Sequence, residues 1–389
     1  MRVIPLVTLA TTALSAAIER QATPLPQYST IFTDAFLQRG IPANNRYENA
    51  VFHRAVELVA AATGNTTYTT WLKTQLDRSV TPNGTLLGYP AYPFSLDDVR
   101  IGTILLNLAA RYPTDTRYRI AADTLRSQLN LPGFRTPLGG FFHRFPTYPN
   151  QMWLDGIFMA DVFYAQYTAA YQPGNVTAWD DILLQYELID GRTRNTSTNL
   201  LVHGYDEGKT AVWADPAVTG AAPNVWDRAL GWYLMALVDV LDFFPKTHKG
   251  YEVLLGVFKS AAQGVLRAQD QATGGWWLVM NEPYPGRAKN YIESSGSAMF
   301  VYALLKGVRL GYIGEEYVAP MKRGYEYLGN TFVKRNETDG LVDLTGTVVV
   351  GSLNSNASFE YYTGVATQIN DLKGVGPFIY ASLEYEALA

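Results

Sequence analysis

The chain has 389 residues, of which 48% are hydrophobic, 17% charged and 13% aromatic, and its formal net charge is −4. This composition supplies a large core, and because no Gly/Ser/Pro tract or charge block marks a linker, we predict one domain over residues 18–389. The acidic balance without a basic stripe argues against a nucleic-acid partner. The absence of cysteine excludes disulfides and thiolate sites, and four scattered histidines argue against a His-based metal cluster.

The first segment of the chain has the features of a secretory signal. Residues 1–17 carry Arg2, then an apolar run, then a small-residue exit that ends at Ala17, which predicts cleavage near that residue. No later segment has an apolar run of membrane-spanning length, so we expect a secreted, extracellular protein without a membrane partner. Acceptor triplets for N-glycosylation, which fit export, occur at Asn65, Asn83, Asn175, Asn195, Asn336 and Asn356.

Apolar residues recur at helical spacing in several stretches that follow. In chain order these stretches are 51–62, 99–110, 156–171, 226–243, 297–310 and 317–328. The fourth shows the pattern well, because Leu230, Tyr233, Leu234 and Leu237 stand at positions i, i+3, i+4 and i+7. Strand-like alternation is confined to short pieces such as 341–350.

Turns rich in glycine and aromatic residues separate the helical stretches. They recur about every 55–70 residues, at Asn83-Gly84, Gly139-Gly140, Gly204-Tyr205, Gly274-Gly275 and Asp339-Gly340. Two helices per unit, five turns and an N-terminal helical region predict about six helical hairpins. We therefore predict an all-α (α/α)6 barrel, a double-layered toroid of six hairpins with its long loops at one mouth. An open superhelix of the same hairpins is the alternative, and the unequal loops favour the closed form.

The loops expected at the mouth carry residues that suit a charged sugar. Segment 139–171 joins a Gly-Gly-aromatic turn, the pair His143-Arg144, Trp153 and Asp155 at a loop–helix junction. A plain helix N-cap is the alternative interpretation of Asp155. The segments predicted to meet at the mouth are 95–102, 143–156, 203–209 with 222–233, and 291–300.

Arg228 stands between two tryptophans near the start of a predicted helix. Because residues four apart share a helix face, Arg228 and Trp232 are predicted to lie side by side, where they could hold a carboxylate and stack on a sugar. The structural interpretations are a solvated Arg228 or one paired with Asp227 or Glu207, and ordinary core packing for Trp226 and Trp232.

Several other polar residues have structural interpretations as strong as functional ones. His203 could bind a sugar hydroxyl or be a satisfied buried histidine. Glu293 is interpreted as the cap of a helix over 294–310 rather than as a catalytic group. Asp206 and Glu207 are equally compatible with a structural role.

In combination, these segments resemble the unsaturated glycuronyl hydrolases, and in particular the unsaturated rhamnogalacturonyl hydrolases of glycoside hydrolase family 105. The resemblance covers nearly all of the chain that follows the predicted signal, and it implies an (α/α)6 barrel. It rests on GGFFHR (139–144), YPNQMWLDG (148–156), HGYDEGK (203–209), PNVWDRALGWYLMALVDVLDFFP (223–245), IESSGSAMFVYALLKG (292–307) and NDLKGVGPF (370–378).

The resemblance implies hydration of a vinyl ether rather than ordinary acetal hydrolysis. The implied substrates are oligosaccharides that carry a 4,5-unsaturated uronic acid at the non-reducing end, left by polysaccharide lyases. One carboxyl group donates a proton to C4 and then accepts one from the water that adds at C5. The two-carboxylate spacing of standard glycosidases is not required, and no metal or organic cofactor is implied. The sequence does not distinguish galacturonate-derived from glucuronate-derived substrates.

Residue by residue, the resemblance assigns roles to matching positions. Asp155 matches the general acid/base, and Asp97 or Asp98 matches an aspartate that assists. The matching substrate-binding residues are His143, Arg144, Trp153, His203, Trp226, Arg228 and Trp232, with Tyr47 as a further wall.

Two local features bear on these roles. A helix N-terminus favours the carboxylate form of Asp155, whereas desolvation beside Trp153 and a neighbouring anion favour the protonated form that a proton donor needs. Asp227 precedes Arg228 where a small residue is expected in many relatives, and an extra anion there would weaken or retune the uronate clamp.

The predicted barrel is also compatible with different activities. An inverting glycosidase would need a second essential carboxylate, for which the candidates are Asp97, Asp98, Glu207 and Glu293. A uronate lyase or a non-catalytic sugar-binding protein could be built on the same toroid. We expect a monomer or a weak dimer.

Overall fold

The computed structural model describes residues 25–90, 92–215 and 219–388. The predicted signal segment, residues 1–17, lies outside the described residues. In chain order the helices are α1 (Tyr28–Arg39), α2 (Tyr47–Thr63), α3 (Thr66–Ser79), α4 (Gly102–Arg111), α5 (Arg117–Gln128), α6 (154–171), α7 (Val176–Thr193), α8 (Asp227–Val240), α9 (Gly250–Arg267), α10 (Ser294–Arg309), α11 (Val318–Phe332), the short α12 (Phe359–Gly364) and α13 (Leu372–Glu386).

The helices form two concentric layers. In the inner layer α2 packs on α13, α13 on α10, α10 on α8, α8 on α6, α6 on α4, and α4 on α2, so the ring closes. The outer helices α1, α3, α5, α7, α9 and α11 each pack on inner helices. The predicted (α/α)6 barrel is confirmed, and the open superhelix is wrong.

Burial patterns explain which helices lie inside. In α8 every residue except Asp239 is buried, as expected of a helix surrounded by protein. In the outer helix α11, burial is confined to one stripe at the spacing of an amphipathic helix, formed by Met321, Gly324, Tyr325, Leu328 and Gly329. A helix that is apolar on all sides therefore lies in the inner layer, and a helix with one apolar stripe lies in the outer layer.

Helix α6 contains an irregular turn. It begins as Leu154–Gly156, continues as a π-helical turn over Ile157–Asp161, and ends as Val162–Tyr171. Single π-helical turns inside α-helices are rare and frequent at functional sites. The turn begins two residues after Asp155.

Among the described residues, short antiparallel strands form four pairs that connect the loops. They pair β1 (Phe94–Ser95) with β2 (Arg144–Phe145), β3 (Gln151–Trp153) with β4 (Gly204–Asp206), β5 (Val333–Arg335) with β6 (Val342–Leu344), and β7 (Thr347–Val348) with β8 (Thr367–Gln368). The first pair joins the loops that precede α4 and α6, and the second joins those that precede α6 and α8. The strand-like alternation predicted at 341–350 is confirmed by β6 and β7.

The surface carries the predicted glycosylation acceptors. Of the six asparagines, Asn336 is half-buried and donates from Nδ2 to Asp343 at 2.9 Å. The five exposed ones are Asn65, Asn83, Asn175, Asn195 and Asn356. Within the ranges that the structure describes, no helix combines the length and apolar character needed to cross a membrane.

Candidate active site

A deep cavity lies where inner helices begin. Helices α2, α6 and α8 contribute residues of their first turns or N-caps, and the loop before α4 contributes Asp97. The structure thereby gathers most of the predicted site residues in one wall, namely Tyr47, Asp97, His143, Arg144, Trp153, Asp155, Trp226, Arg228 and Trp232.

Asp155 occupies the second position of α6, and 13% of its side chain is exposed. The N-cap of this helix is Trp153, so the plain N-cap interpretation of Asp155 is wrong. Burial by itself would raise the pKa of the Asp155 carboxyl, but the neighbouring His203 and His143 outweigh it and hold that pKa below its ordinary value. Of the two opposing influences expected from the sequence, the one that favours the carboxylate prevails in the free protein.

His203 is fully buried behind Asp155. Its Nε2 lies 3.2 Å from Oδ2 of Asp155, and its Nδ1 hydrogen-bonds the hydroxyl of Tyr362 at 2.8 Å. The imidazole packs against the rings of Trp153 and Trp226, at centroid distances of 5.4 and 4.9 Å. His203 therefore touches the candidate proton donor, whereas it is not part of the cavity wall.

The aspartate doublet divides between two cavities. Asp97 is buried, lines the deep cavity, pairs with Arg144, and lies 3.8 Å from Nε2 of His143. Asp98 does not line the deep cavity but lines the outer one, and burial and the charge of Asp97 raise its pKa to about 6. The geometry therefore singles out Asp97 as the neighbour of Asp155.

His143 and Arg144 both lie beside Asp97. The His143 ring stacks on Trp153 with a centroid distance of 4.3 Å, and burial lowers the pKa of His143 to about 4, so the imidazole is neutral. Among the described residues, Nδ1 of His143 and Nε of Arg144 have no hydrogen-bond partner although both are buried. Such atoms can be satisfied by a polar ligand in the cavity.

Arg228 is 1% exposed, so the interpretation of it as a solvated residue is wrong. Its guanidinium donates to the carbonyls of Val348 and Val349, at 2.6 and 3.0 Å, and its nearest carboxylate is Glu293 at 3.9 Å. The suggested ion pairs with Asp227 or Glu207 are therefore wrong. Both suggested partners stand close to Arg228 in the sequence, whereas the actual partners come from a loop 120 residues away.

The predicted pairing of Arg228 with Trp232 is also corrected. The guanidinium carbon lies 4.6 Å from the ring of Trp226, while Trp232 stacks on Phe158 at 4.7 Å and meets Tyr47 edge-on at 6.4 Å. The indole N–H of Trp226 is buried and has no partner among the described residues. Both tryptophans line the cavity, so core packing alone does not describe them.

Asp227, the residue before Arg228, is fully buried. Desolvation, reinforced by the nearby Glu293, raises its pKa well above the ordinary value. This shift favours the neutral acid and so opposes the extra negative charge expected beside Arg228.

The remaining carboxylates have structural partners. Glu293 caps α10 by accepting from the amide of Gly296 at 2.7 Å, which confirms its predicted role. Asp206 accepts from the amides of Gly208, Thr210 and Ala211 within its own loop. Glu207 accepts from the amide of Leu138.

Some cavity residues have no individual signal in the sequence. Tyr148 lies in a segment assigned to the mouth and Met159 in the helical stretch 156–171. Val350 ends the strand-like piece 341–350, and the following Gly351 and Ser352 have no pattern of their own. An outer cavity shares Tyr47, Asp97, Arg144 and Val350 with the deep one. Its other polar residues include Arg46, Glu48, Asp98 and Lys373.

Comparison with known proteins connects this site to a family. The sequence profile of Glycosyl Hydrolase Family 88 matches residues 28–389. A glycoside hydrolase from family 105 of C. acetobutylicum has a similar structure, with a TM-score of 0.87 and 35% identity over 93% of this chain and 100% of that one. The 24.9 kDa protein in the picA locus of Rhizobium radiobacter is 38% identical over 219 residues, which cover 54% of this chain and 91% of that protein.

A more distant structure shares the fold. The unsaturated glucuronyl hydrolase of Bacillus sp. GL1, responsible for the degradation of glycosaminoglycan, aligns with a TM-score of 0.64 over 92% of this chain and 95% of its own. Its sequence is 13% identical, so the likeness concerns the barrel alone.

Proposed function

The chain belongs to the glycoside hydrolases of families 88 and 105, and from this premise we propose that it removes a 4,5-unsaturated uronic acid from the non-reducing end of lyase-generated oligosaccharides. Family membership makes it a glycoside hydrolase and sets aside the lyase and the non-catalytic sugar-binding protein. The observation that carries the proposal is one buried carboxylate, Asp155, in a cavity walled by aromatic rings and edged by Arg144 and Arg228.

The cavity suits an anionic sugar ring that is flattened around C4=C5. Trp153, Trp226 and Trp232 supply apolar faces for stacking, and the two arginines supply positive charge. Because α6 and α8 begin at this wall, the positive ends of their dipoles also favour a carboxylate there. The overall charge of the chain is negative, so these local groups must provide the attraction.

Proton transfer is the first chemical step of the proposal. The π electrons of C4=C5 take the proton of the Asp155 carboxyl at C4, which leaves positive charge shared between C5 and the ring oxygen. Asp155 is ionised in the free protein, so it must acquire this proton as the complex forms. A bound uronate and the loss of water both favour the protonated carboxyl, because each penalises a second negative charge.

Water addition is the second step. The Asp155 carboxylate takes a proton from water, whose oxygen forms a bond to C5. The resulting hemiketal opens by breaking the bond between C5 and the ring oxygen, and the hemiacetal at C1 then releases the second sugar as an alcohol. Asp155 serves both steps as acid and then base.

Asp97 has an assisting role in this scheme. Its carboxylate pairs with Arg144 and lies 3.8 Å from His143, on the cavity wall that also holds Asp155. A fixed negative charge there stabilises the positive charge that develops on the sugar ring. No metal or organic cofactor takes part in the proposed reaction.

We also propose that the protein is secreted and that it acts in pectin breakdown. The signal-like residues 1–17 and the acceptor triplets support an extracellular glycoprotein. The motifs that resemble unsaturated rhamnogalacturonyl hydrolases support pectic fragments, with related polyuronates as further substrates. C4 is planar in the unsaturated sugar, so epimers at that carbon present the same ring and selectivity must come from the outer cavity.

Loss of the ultraviolet absorbance of the C4=C5 bond tests the reaction directly. We expect wild-type protein to remove it from unsaturated rhamnogalacturonan disaccharides, and Asp155→Asn to lose about 10²–10⁴-fold in rate. The matched control is Asp98→Asn, which removes a carboxylate from the outer cavity. Constant absorbance with galacturonate- and glucuronate-derived substrates would refute the proposal.

A saturated oligosaccharide of the same composition separates this reaction from that of an inverting glycosidase. Of the carboxylates suggested as a second catalytic group, only Asp97 shares the deep cavity with Asp155, since Asp98, Glu207 and Glu293 do not line it. We expect no cleavage of the saturated substrate. Release of reducing sugar from it would favour the inverting glycosidase.

A further inference from the structure

Residues 346–352, here called the strap, end in the tip Val350-Gly351-Ser352, which lines the deep cavity. The base of the strap lies on the first turn of α10. Ser294 donates its amide to the carbonyl of Gly346 at 3.2 Å, and its hydroxyl hydrogen-bonds that of Thr347 at 2.9 Å. Strand β7 within the strap also pairs with β8. The strap base is thus held from two sides.

Glu293 connects the strap to α10 through a single carboxylate. One oxygen accepts from the amide of Val348 at 2.9 Å, and the other accepts from the amide of Gly296 at 2.7 Å. Ser295 donates its hydroxyl to the same carboxylate at 2.8 Å. Glu293 is fully buried, so these bonds are shielded from water and costly to lose.

Arg228 holds the same strap residues from the side of α8. It donates to the carbonyls of Val348 and Val349 and to the hydroxyl of Ser295, the last at 3.2 Å. Both polar groups of the Val348 backbone are therefore bound, its N–H by Glu293 and its carbonyl by Arg228. The two side chains together determine where the following residues lie.

The strap tip meets the aromatic wall without spare room. A Cβ placed on Gly351 would lie 2.7 Å from the ring of Trp226, so only glycine lets the backbone lie against that ring. Val350 is 43% exposed and lines both the deep and the outer cavity. The tip therefore stands between the two spaces that a disaccharide would fill.

We propose that Glu293 is a positioning residue, which together with Arg228 sets the strap tip Val350-Gly351-Ser352 against Trp226 so that the tip contacts the unsaturated uronyl ring. This inference rests on the proposed function for its substrate. It gives the IESSG segment (292–296) a role beyond capping a helix, and it makes Arg228 act on the substrate through the strap.

Glu293→Asp separates positioning from capping. Aspartate is a preferred N-cap residue and retains the bond to α10, but it is one methylene too short to reach Val348 as well. We expect KM for the unsaturated disaccharide to rise about tenfold or more, with a smaller change in kcat and a small fall in Tm, because the buried bond to Val348 is lost while the helix cap is kept. Glu207→Asp, the same change at a carboxylate that holds Leu138 outside both cavities, should leave all three values unchanged.

Gly351→Ala tests the tip without altering Glu293. We expect it to raise KM as well, because the added methyl displaces the tip from Trp226. The double variant with Glu293→Asp should raise KM by less than the product of the single effects, since both changes displace one element. Wild-type KM in Glu293→Asp, or fully multiplicative effects, would overturn the proposal.

A readout without substrate distinguishes the positioning role from the proposed function. Hydrogen exchange at the Val348 amide should be faster in Glu293→Asp than in wild type, and unchanged in Glu207→Asp. If wild type shows no turnover, the proposed function fails. If turnover is normal but exchange at Val348 is unaffected, the positioning role fails.

Discussion

Nε2 of His203 lies 3.2 Å from Oδ2 of Asp155, and the opposite nitrogen of the same imidazole is bound to the hydroxyl of Tyr362. Tyr362 therefore orients the imidazole of His203, and Nε2 of His203 faces Asp155. This arrangement favours the ionised form of Asp155, the proposed proton donor, because His203 is the leading influence that lowers the pKa of Asp155 against its burial.

Replacing His203 should change the pH dependence of the reaction. In His203→Gln the pKa of Asp155 rises, because burial is no longer outweighed. The protonated donor then persists to higher pH, so the alkaline limb of the kcat/KM profile should move upward in pH. Tyr362→Phe, which removes only the bond to Nδ1, should cause a smaller shift. An unmoved limb in His203→Gln would show that another group controls it.

The two adjacent aspartates should differ in their effect on catalysis. Asp97→Asn removes a charge from the deep cavity and should lower kcat/KM about 100-fold. Asp98→Asn leaves the deep cavity unchanged and should lower kcat/KM by a few-fold at most. Steady-state kinetics on one unsaturated disaccharide compares them, and the reverse order would reassign the assisting role to Asp98.

Asp161, in the π-helical turn of α6, should make the free energy of unfolding depend on pH. It is fully buried, its oxygens have no partner among the described residues, and burial raises its pKa well above the ordinary value. Above the unfolded pKa of about 3.9, Asp161 keeps its proton in the folded state and releases it on unfolding. The free energy of unfolding of the wild type therefore decreases as pH rises towards the folded pKa. The stability of Asp161→Asn relative to wild type should thus increase with pH, as measured by urea unfolding.

Asp239 provides the control of opposite sign for that experiment. Burial would raise its pKa, but Lys306 and Tyr302, each 2.7 Å away, outweigh burial and lower it. The stabilisation from its carboxylate is full above the unfolded pKa and is lost as pH falls through the folded pKa. Asp239→Asn should therefore be destabilised at neutral pH, with the difference shrinking in acid. Parallel curves for the two variants would contradict both assignments.

The acceptor asparagines should differ in occupancy if the chain is secreted by a eukaryotic cell. The amide nitrogen of Asn336 is committed to Asp343, and its side chain is half-buried, so we expect no glycan there. Asn83 and Asn356 are exposed and should be modified. Peptide mass spectrometry after enzymatic deglycosylation measures each position, and a glycan on Asn336 would show that the asparagine is modified before it folds.

The sequence by itself determined the barrel and much of its site. Apolar residues at helical spacing, such as Leu230, Tyr233, Leu234 and Leu237, lie on one helix face. Because this pattern spans only a few neighbouring residues, it can be identified from the sequence. The order of the motifs indicated the family and placed Asp155, Trp226 and Arg228 at the mouth, because each stands at the start of an inner helix.

Only the tertiary structure decided what those residues touch. Asp97 and Asp98 are equivalent in the sequence, and the turn after β1 together with the β1–β2 pairing places one of them in the deep cavity. Arg228 has partners 120 residues away, which no local pattern reveals. The charge states of Asp155 and Asp227 likewise depend on burial and on neighbours from other helices, since desolvation and Coulomb interactions act through space rather than along the chain.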